Sequence, residues 1–520
     1  MNMNKKQFNL YPLTSSQREI WFDQMLHAEV PLYNIGGYVK IPGPINPALF
    51  EQAINLLVQK HDALRTVLTE TKDEDGLPLQ SFPEEVLVSV PLQDFSDQDD
   101  AEQAALTWMK TRFNEPFQLI GQPLFRYDLV KTSEQCYYWL MQYHHIIVDG
   151  YSVALLNRSL AEIYTQLANG QTPDLNDASY IRFIEYDHDY AASEASAKNR
   201  QYWTNKYPTA PEPLLNPRYR SHFSDNVVGS NSEPLTLSYD FYQSLHTFAQ
   251  SHHTTLFRVL LGALYVYFTR TAQRDDFTIG YATLNRPLEA FRHTAGLFTL
   301  VAPGYFQFGT DLSFADLLQK LHHSIKTDVA HPYSLTEINS PFTQGEQRTR
   351  LFDISISYQR FNYDSQFNGF NSQMTWLLHS WEQSPLMIYV QDFHAQSDVK
   401  LDFVYNLTYF TPAEIQALQN RLMTILQALL TNSSAPIRTL PILTEAEIEQ
   451  LESWNQTQTN YPKDQTIVDL FEEHVLKTPE KLAVVFEKEQ LSYRQLNAKA
   501  NQLAHYLLKH PTLENASNPL

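Results

Sequence analysis

The sequence predicts an α/β protein, because segments with strand character and segments with helical spacing alternate along its 520 residues. Residues 135–142 are rich in aromatic and apolar side chains and hold neither glycine nor proline, which is typical of a largely buried strand. Residues 152–168 carry apolar side chains close to helical spacing. The length predicts roughly two to four domains, at about 150 residues per domain.

The other predicted elements continue this alternation. In the first half they are a helix capped by Thr14 or Ser15, a strand over 35–41, helices over 47–59 and 101–113, and a strand over 123–130. In the second half they are helices over 241–251, 255–271 and 412–430, with strands over 276–282 and 352–358. Residues 207–231 contain four prolines and predict the loop that crosses between the halves.

The composition argues against several classes of protein. The chain has 58 acidic and 38 basic residues and no basic stripe, so we expect no nucleic-acid partner. The single cysteine, Cys136, excludes an internal disulfide framework and a thiolate zinc site, and a reducing cytoplasm fits best. Residues 1–11 lack an apolar core of signal-peptide length, and the longest apolar run, 256–268, is broken by Arg258. We therefore expect no secretion and no membrane partner.

Two histidines, a carboxylate and a glycine stand close together in the stretch from His144 to Gly150, between the predicted strand and the predicted helix. Successive side chains of a strand point to opposite faces, so His144 and His145 cannot both face one cleft while the strand stays regular. We expect one histidine to serve a substrate and its neighbour to pack into the scaffold.

The pattern His-His-x-x-x-Asp-Gly resembles the signature of the condensation domains of nonribosomal peptide synthetases and of their acyltransferase relatives. Four further regions resemble motifs of this family in the right order, namely residues 14–21, 60–66, 179–190 and 296–301. Thr14, Ser16 and Glu19 depart from the first motif, and Lys60 from the second. In the fifth motif, Leu300 stands where the family has an asparagine, so one polar contact to the acceptor or the cleft is missing there.

The resemblance implies two α/β subdomains of the chloramphenicol acetyltransferase type, arranged as a V-shaped pseudo-dimer with a tunnel open at both faces. We expect these subdomains over residues 1–178 and 179–431, followed by a linker over 432–465. Residues 466–520 resemble the start of an adenylation domain, including its opening hairpin and first helix, and we expect a truncated fragment because no phosphate-binding loop follows.

The activity that the resemblance implies is formation of an amide between a thioester-bound acyl or peptidyl donor and the amine of a carrier-bound amino acid. This chemistry requires an unprotonated amine, a route for its proton and stabilisation of an oxyanion. The candidate catalytic residues are His145, Gly150, His144 and Ser152. His145 would act on the amine, as a base or by positioning it, and the Gly150 N–H would bind the oxyanion at the start of a helix. Ser152 would be either a second hydrogen-bond donor to the oxyanion or the N-cap residue of that helix.

Asp149 and Arg65 are assigned to the architecture of the site. In the family, the equivalents of these residues form a buried ion pair, which we expect here because removing one partner of such a pair costs about 3–5 kcal/mol.

The implied partners are acyl or peptidyl carrier proteins, other synthetase modules and a small acyl thioester. The substrates would be carried on phosphopantetheine or coenzyme A, no cofactor would be bound covalently to this chain, and no metal ion is expected. A chain that begins at its own methionine with no carrier before it favours a starter condensation domain, although a shortened internal module would look the same. Two other hypotheses stay open: a stand-alone O- or N-acyltransferase, and a non-catalytic carrier-binding remnant.

Overall fold

The computed structural model describes residues 9–176, 179–219, 229–342, 350–394 and 396–509. The chain divides into two compact units, Met1–Thr444 and Glu445–Leu520. The predicted boundary between the subdomains lies between residues 178 and 179. Residues 177 and 178 are outside the described part of the chain.

The helices of the first unit are α1 (Ser15–Leu26), α2 (Pro47–Lys60), α3 (Ala101–Phe113), α4 (Gly150–Ala168), α5 (Ile181–Ala191), α6 (Glu194–Lys206), α7 (Tyr239–Ser251), α8 (Leu256–Ala272), α9 (Phe314–Val329), α10 (Leu335–Asn339) and α11 (Pro412–Thr431). Its strands are β1 (Asn34–Ile41), β2 (Val67–Lys72), β3 (Pro78–Ser81), β4 (Leu92–Asp94), β5 (Phe125–Ser133), β6 (Cys136–His144), β7 (Ser230–Leu237), β8 (Asp276–Thr283), β9 (Leu300–Gln307), β10 (Ile354–Gln359), β11 (Gln366–Phe367), β12 (Phe370–Asn371), β13 (Gln373–Trp376), β14 (Leu386–Gln391) and β15 (Val399–Asn406). The predicted alternation of strands and helices is confirmed.

The strands of the first unit form two larger sheets. One has the order β13-β1-β6-β5-β4, with β6 antiparallel to both β1 and β5. The other has the order β7-β15-β14-β10-β8-β9, in which β10 runs parallel to β8 and β14. Strand β13 comes from late in the chain yet pairs with β1, so the second half of the unit completes the sheet of the first half.

Each larger sheet has its own apolar core. The first core contains α2, α4 and the inner face of β6, including the fully buried Trp139. The second contains α8, which is apolar on nearly all sides and packs against α9 and α11, as expected for a central helix. No helix within the described residues is long and apolar enough to cross a bilayer.

The segment predicted as a linker over 432–465 is partly packed. Ile437 and Leu440 are buried in the second core, and the division between the units lies after Thr444. The composition of residues 432–436 is typical of a linker, but the apolar residues that follow them pack back onto the second core.

The second unit contains α12 (Glu445–Trp454), α13 (Ile467–Lys477), β16 (Leu482–Phe486), β17 (Glu489–Ser492) and α14 (Tyr493–Leu508). Strands β16 and β17 form the predicted hairpin, and α14 follows it directly. Several apolar side chains of this unit are exposed, among them Phe486 at 71% and Leu508 at 73%.

Candidate active site

The His144–Gly150 stretch lies at the predicted junction between a strand and a helix. Strand β6 ends at His144, and α4 begins at Gly150 with Asp149 as its N-cap, whose Oδ1 accepts a hydrogen bond from Ser152 N at 2.8 Å. The loop between them is held from two sides. His145 N donates to Tyr33 O at 2.8 Å, and Gln17 Nε2 donates to Ile146 O at 3.0 Å.

Gln17 links the first motif region to this loop, although the two are more than a hundred residues apart in the sequence. Thr14 caps α1 and forms a capping box with Gln17, as predicted for one of its two candidate caps. The fully buried Gln17 amide also exchanges hydrogen bonds with Gln80, at 3.0 and 2.8 Å. Its position is therefore fixed from three directions, and it fixes the loop in turn.

His144 belongs to the scaffold. It is 1% exposed, its Nδ1 accepts from Ile146 N at 3.3 Å, and its Nε2 lies 3.2 Å from Gln24 Oε1. These partners favour the neutral tautomer with the proton on Nε2. Burial, with a smaller contribution from His145, lowers the pKa of His144 to about 3. The two histidines therefore lie in different environments, and the buried His144 ring is not among the residues that line the cavity described next, which argues against a catalytic role for it.

A cavity of about 470 Å³ opens beside His145, which lines it together with Gly150, Tyr151, Gln359 and Phe361. His145 is half-buried, and its Nδ1 makes no hydrogen bond within the described residues. Burial lowers the pKa of His145 below its ordinary value, and nearby backbone carbonyls and the Asp149 charge oppose this only in part. The imidazole is therefore neutral at neutral pH and is placed to accept a proton or a hydrogen bond.

Gly150 is the first residue of α4, so no intrahelical acceptor is available to its N–H. A Cβ at this position would lie 3.2 Å from Phe361 Cε2, closer than side chains normally pack. The absence of a side chain thus lets the Phe361 ring pack against the start of α4, beside a backbone N–H group that no helical carbonyl accepts.

Asp149 pairs with Arg286, not with Arg65. Arg286 Nη2 lies 3.0 Å from Asp149 Oδ1 and 3.2 Å from Oδ2, and the two side chains are 2% and 1% exposed. Burial raises the pKa of Asp149, but the Arg286 charge and hydrogen bonds from Ser152 and Phe298 outweigh it and hold the pKa below its usual range. The guanidinium carbon also lies 3.9 Å from the centre of the Phe298 ring.

The prediction of an Arg65–Asp149 pair is therefore wrong. Arg65 ends a short 3-10 turn and donates to the backbone carbonyls of Val58, Gln59 and Pro83. It ties the end of α2 to the chain after β3. A buried ion pair at Asp149 was correctly expected, but the cation comes from a position 137 residues downstream.

The structure also differs from the prediction for Ser152. It is fully buried, and Asp149 is the cap of α4. Its Oγ lies 2.7 Å from both Asp149 Oδ1 and Gly296 O, the two acceptors available to its single proton, and accepts from Arg286 Nη2 at 2.9 Å. With these bonds the hydroxyl is committed to the scaffold and does not face the cavity.

The fifth motif region closes this network. Phe298 N donates to Asp149 Oδ2 at 3.1 Å, and Thr299 Oγ1 does so at 3.2 Å. Leu300, which replaces the family's asparagine, is 7% exposed and does not line the cavity, whereas Thr299 does. The polar group on this wall is therefore supplied by the neighbouring position.

Sequence reasoning missed several residues of the site, notably Arg286, Gln359 and the carboxylates that line the cavity. Arg286 closely follows a correctly predicted strand, and this was the available signal. Gln359 ends β10 and its Nε2 approaches Gly150, where a Cβ would be 3.8 Å away. Sequence spacing alone could not connect these elements to His145.

Comparison with known proteins identifies the family. The Condensation domain family matches residues 7–452. The chain is 28% identical to a component of the linear gramicidin synthase of Brevibacillus parabrevis, over 95% of this chain and 6% of that protein. It is also 28% identical to a dimodular nonribosomal peptide synthase of Bacillus subtilis, over 96% of this chain and 21% of that protein. The chain thus spans only a small part of these relatives.

Solved structures of condensation domains also match this chain. A mutant of the starter condensation domain of rhizomide synthetase RzmA, in complex with C8-CoA, is 26% identical with a TM-score of 0.74, covering 84% of this chain and 98% of that one. The first condensation domain of the calcium-dependent antibiotic synthetase, at 22% identity and a TM-score of 0.73, shares the fold, again over 84% of this chain and 99% of that one. The predicted acetyltransferase-like α/β fold class is confirmed. The chain belongs to the condensation-domain family, the amide-bond-forming enzymes of nonribosomal peptide synthetases.

Proposed function

We propose that the cavity at His145 joins a thioester-bound acyl or peptidyl donor to the amine of an amino acid held on a carrier protein. The observation that carries this proposal is the position of the His145 imidazole on the cavity wall beside the Gly150 N–H, on a loop fixed by the Arg286–Asp149 pair.

The chemistry assigns a role to each of these groups. The amine nitrogen attacks the thioester carbonyl, the tetrahedral oxyanion collapses, the C–S bond breaks, and the amine proton is transferred to the departing thiolate. A neutral His145 accepts the proton or the N–H hydrogen bond of the amine. The Gly150 N–H at the helix N-terminus stabilises the oxyanion. Asp149, Arg286 and Ser152 hold the loop and take no proton.

The substrates would arrive on thiol carriers. We propose phosphopantetheine on the acceptor side and either coenzyme A or a carrier protein on the donor side, and we place the domain in the cytoplasm. The likeness to a starter condensation domain in complex with C8-CoA supports an acyl-coenzyme A donor and the starter type. No part of this chain would carry the cofactor covalently.

Residues 466–509 would form the beginning of an adenylation domain. The family match ends at residue 452, whereas the matches to the synthetases cover 95% and 96% of the chain and so extend into this region. The exposed apolar side chains of α13, β16 and α14 also fit a unit that forms part of a larger fold.

Mass spectrometry of carrier proteins tests the proposal. The full chain is incubated with octanoyl-coenzyme A and either an aminoacyl carrier protein or the free amino acid. Acylation of the carrier-bound amine supports the proposal, and acylation of the free acceptor alone would instead identify a stand-alone acyltransferase. If carriers bind but no amide forms across a panel of acyl donors, the chain is a non-catalytic carrier-binding remnant.

A further inference from the structure

One part of the cavity wall is acidic. Glu19, Asp23 and Glu382 all line the cavity, and Tyr33 lies among them. Burial raises the pKa of Tyr33, and the charges of Asp23, Glu382 and Glu19 raise it further, so all three carboxylates lie near this one side chain. Because Tyr33 O accepts the His145 N–H at 2.8 Å, this acidic wall adjoins the proposed site of reaction.

For Glu19 and Asp23, the hydrogen bonds from the described residues reach only one carboxylate oxygen. Glu19 Oε1 accepts from Ser334 Oγ at 2.7 Å and from the backbone N–H groups of Leu335 and Thr336. Asp23 Oδ2 accepts from Tyr33 Oη at 2.6 Å, and Glu382 Oε1 from Ser384 N at 2.9 Å. Within the described residues, the second oxygens of Glu19 and Asp23 accept no hydrogen bond, and none of the three carboxylates forms an ion pair with lysine or arginine.

No described cation balances this wall. The only arginine or lysine among the described lining residues is Arg350, and its Nη1 lies 3.6 Å from Asp353 Oδ1, which already supplies a counter-charge. Burial raises the pKa of Glu19 to about 7 and raises that of Glu382 as well, which is the behaviour of carboxyls that lack a cation partner.

A second feature of the same cavity also points to a polar ligand. Gln359 is 8% exposed and lines the cavity, and its Oε1 is buried without a hydrogen-bond partner in the part of the chain that the structure describes. His379 Nδ1 and Gln383 Nε2, on the same lining, are likewise buried without partners there. Burying such groups without a hydrogen-bond partner is unfavourable, so a bound polar molecule would relieve the cost.

We propose that the acidic wall selects an amino-acid substrate with a cationic side chain, an ammonium or guanidinium group that binds between Asp23 and Glu382 within reach of Glu19. This inference rests on the proposed function and names the substrate class of the same site. Within the described residues, no three of these side chains are close enough together to hold a metal ion, and this spread favours an organic cation. The cation belongs either to the acceptor amino acid or to the donor residue.

Equilibrium binding to the full chain tests the proposal without any need for turnover. The acceptor probes are the stable amide analogues of lysyl- and norleucyl-N-acetylcysteamine, which differ only by the terminal ammonium. The donor probes are the same two molecules with the α-amine acetylated. Calorimetric Kd values should favour lysyl over norleucyl by about tenfold or more in at least one pair, and the pair identifies the source of the cation.

Isosteric variants locate the effect. Asp23→Asn and Glu382→Gln should each remove most of the preference, whereas Glu134→Gln, a control on a side chain 80% exposed, should leave it intact. Equal Kd values in both pairs, or a preference that survives both substitutions, would overturn the proposal. Because the probes cannot react, binding and catalysis are tested separately. A lysyl preference in a protein that forms no amide would contradict the proposed function only. Amide formation without a lysyl preference would contradict this inference only.

Discussion

Replacing Arg286 by methionine should destabilise the first unit and disorganise the loop that carries His145. The guanidinium is 2% exposed and makes two contacts to Asp149, one to Ser152 Oγ and further hydrogen bonds to the carbonyls of Phe291 and Thr294. Methionine keeps much of the volume but leaves Asp149 buried without its cation. Removing one member of a buried ion pair costs about 3–5 kcal/mol.

The structure places the expected loss near the lower end of that range, about 3 kcal/mol. Asp149 would keep four hydrogen-bond donors: the N–H and hydroxyl of Ser152, the N–H of Phe298 and the hydroxyl of Thr299. These donors partly stabilise the carboxylate. The double variant with Asp149→Asn should therefore recover stability relative to Arg286→Met alone, because the unpaired charge is removed as well.

A double-mutant cycle measures this coupling. Urea unfolding followed by tryptophan fluorescence reports mainly on residues 1–444, which hold six of the seven tryptophans. Arg286 and Asp149 should show an interaction energy of about 2–3 kcal/mol. Arg65→Met is the matched control, since Arg65 contacts carbonyls of residues 58, 59 and 83, and it should not couple to Asp149→Asn. Coupling of Asp149 to Arg65 but not to Arg286 would refute this reasoning.

Three further predictions concern the same loop. Gly150→Ala should lower kcat/KM about tenfold or more, because its Cβ would lie 3.2 Å from Phe361 Cε2, and Phe361→Leu should restore activity; unchanged steady-state kinetics in the single variant would contradict this. Gln17→Leu should cost about 1–3 kcal/mol in urea unfolding because Ile146 O and Gln80 lose their donor, whereas a loss below about 0.3 kcal/mol would show that the loop does not depend on it. Between pH 6.5 and 4, the free energy of unfolding of His144→Gln should fall less than that of the wild type. The reason is that a histidine with a folded pKa of about 3 contributes stability that is complete above its unfolded pKa and is lost as the pH falls. Parallel pH profiles of the two proteins would contradict the assignment.

Local features of the fold could be predicted from the sequence because local chemistry determines them. The apolar run that ends in β6, the helical spacing of α4 and the capping group at Thr14 are all encoded within a few residues. The sequence also indicated that His144 and His145 face different environments, although the reason differs in part: His144 is the last residue of β6, and His145 already belongs to the turn that follows it. The resemblance of the motifs then supplied the architecture and the chemistry.

Contacts between distant segments could not be predicted in the same way. Arg65 and Arg286 both follow plausible elements, and nothing in their neighbours indicates which one lies beside Asp149. The packing of the fifth motif region decides it, since Phe298 and Thr299 donate to the same carboxylate that Arg286 pairs with. The acidic wall depends equally on topology, because Glu19 and Asp23 lie on α1 whereas Glu382 lies just before β14.

The most direct test of the central claim is the single-turnover rate of amide formation by His145→Ala, with acyl-coenzyme A and a saturating aminoacyl carrier protein. If the imidazole on the cavity wall assists the amine, the rate should fall about a hundredfold or more while carrier binding and the unfolding midpoint stay unchanged. A rate within about threefold of the wild type, a difference too small for the loss of an acid–base group, would contradict the account.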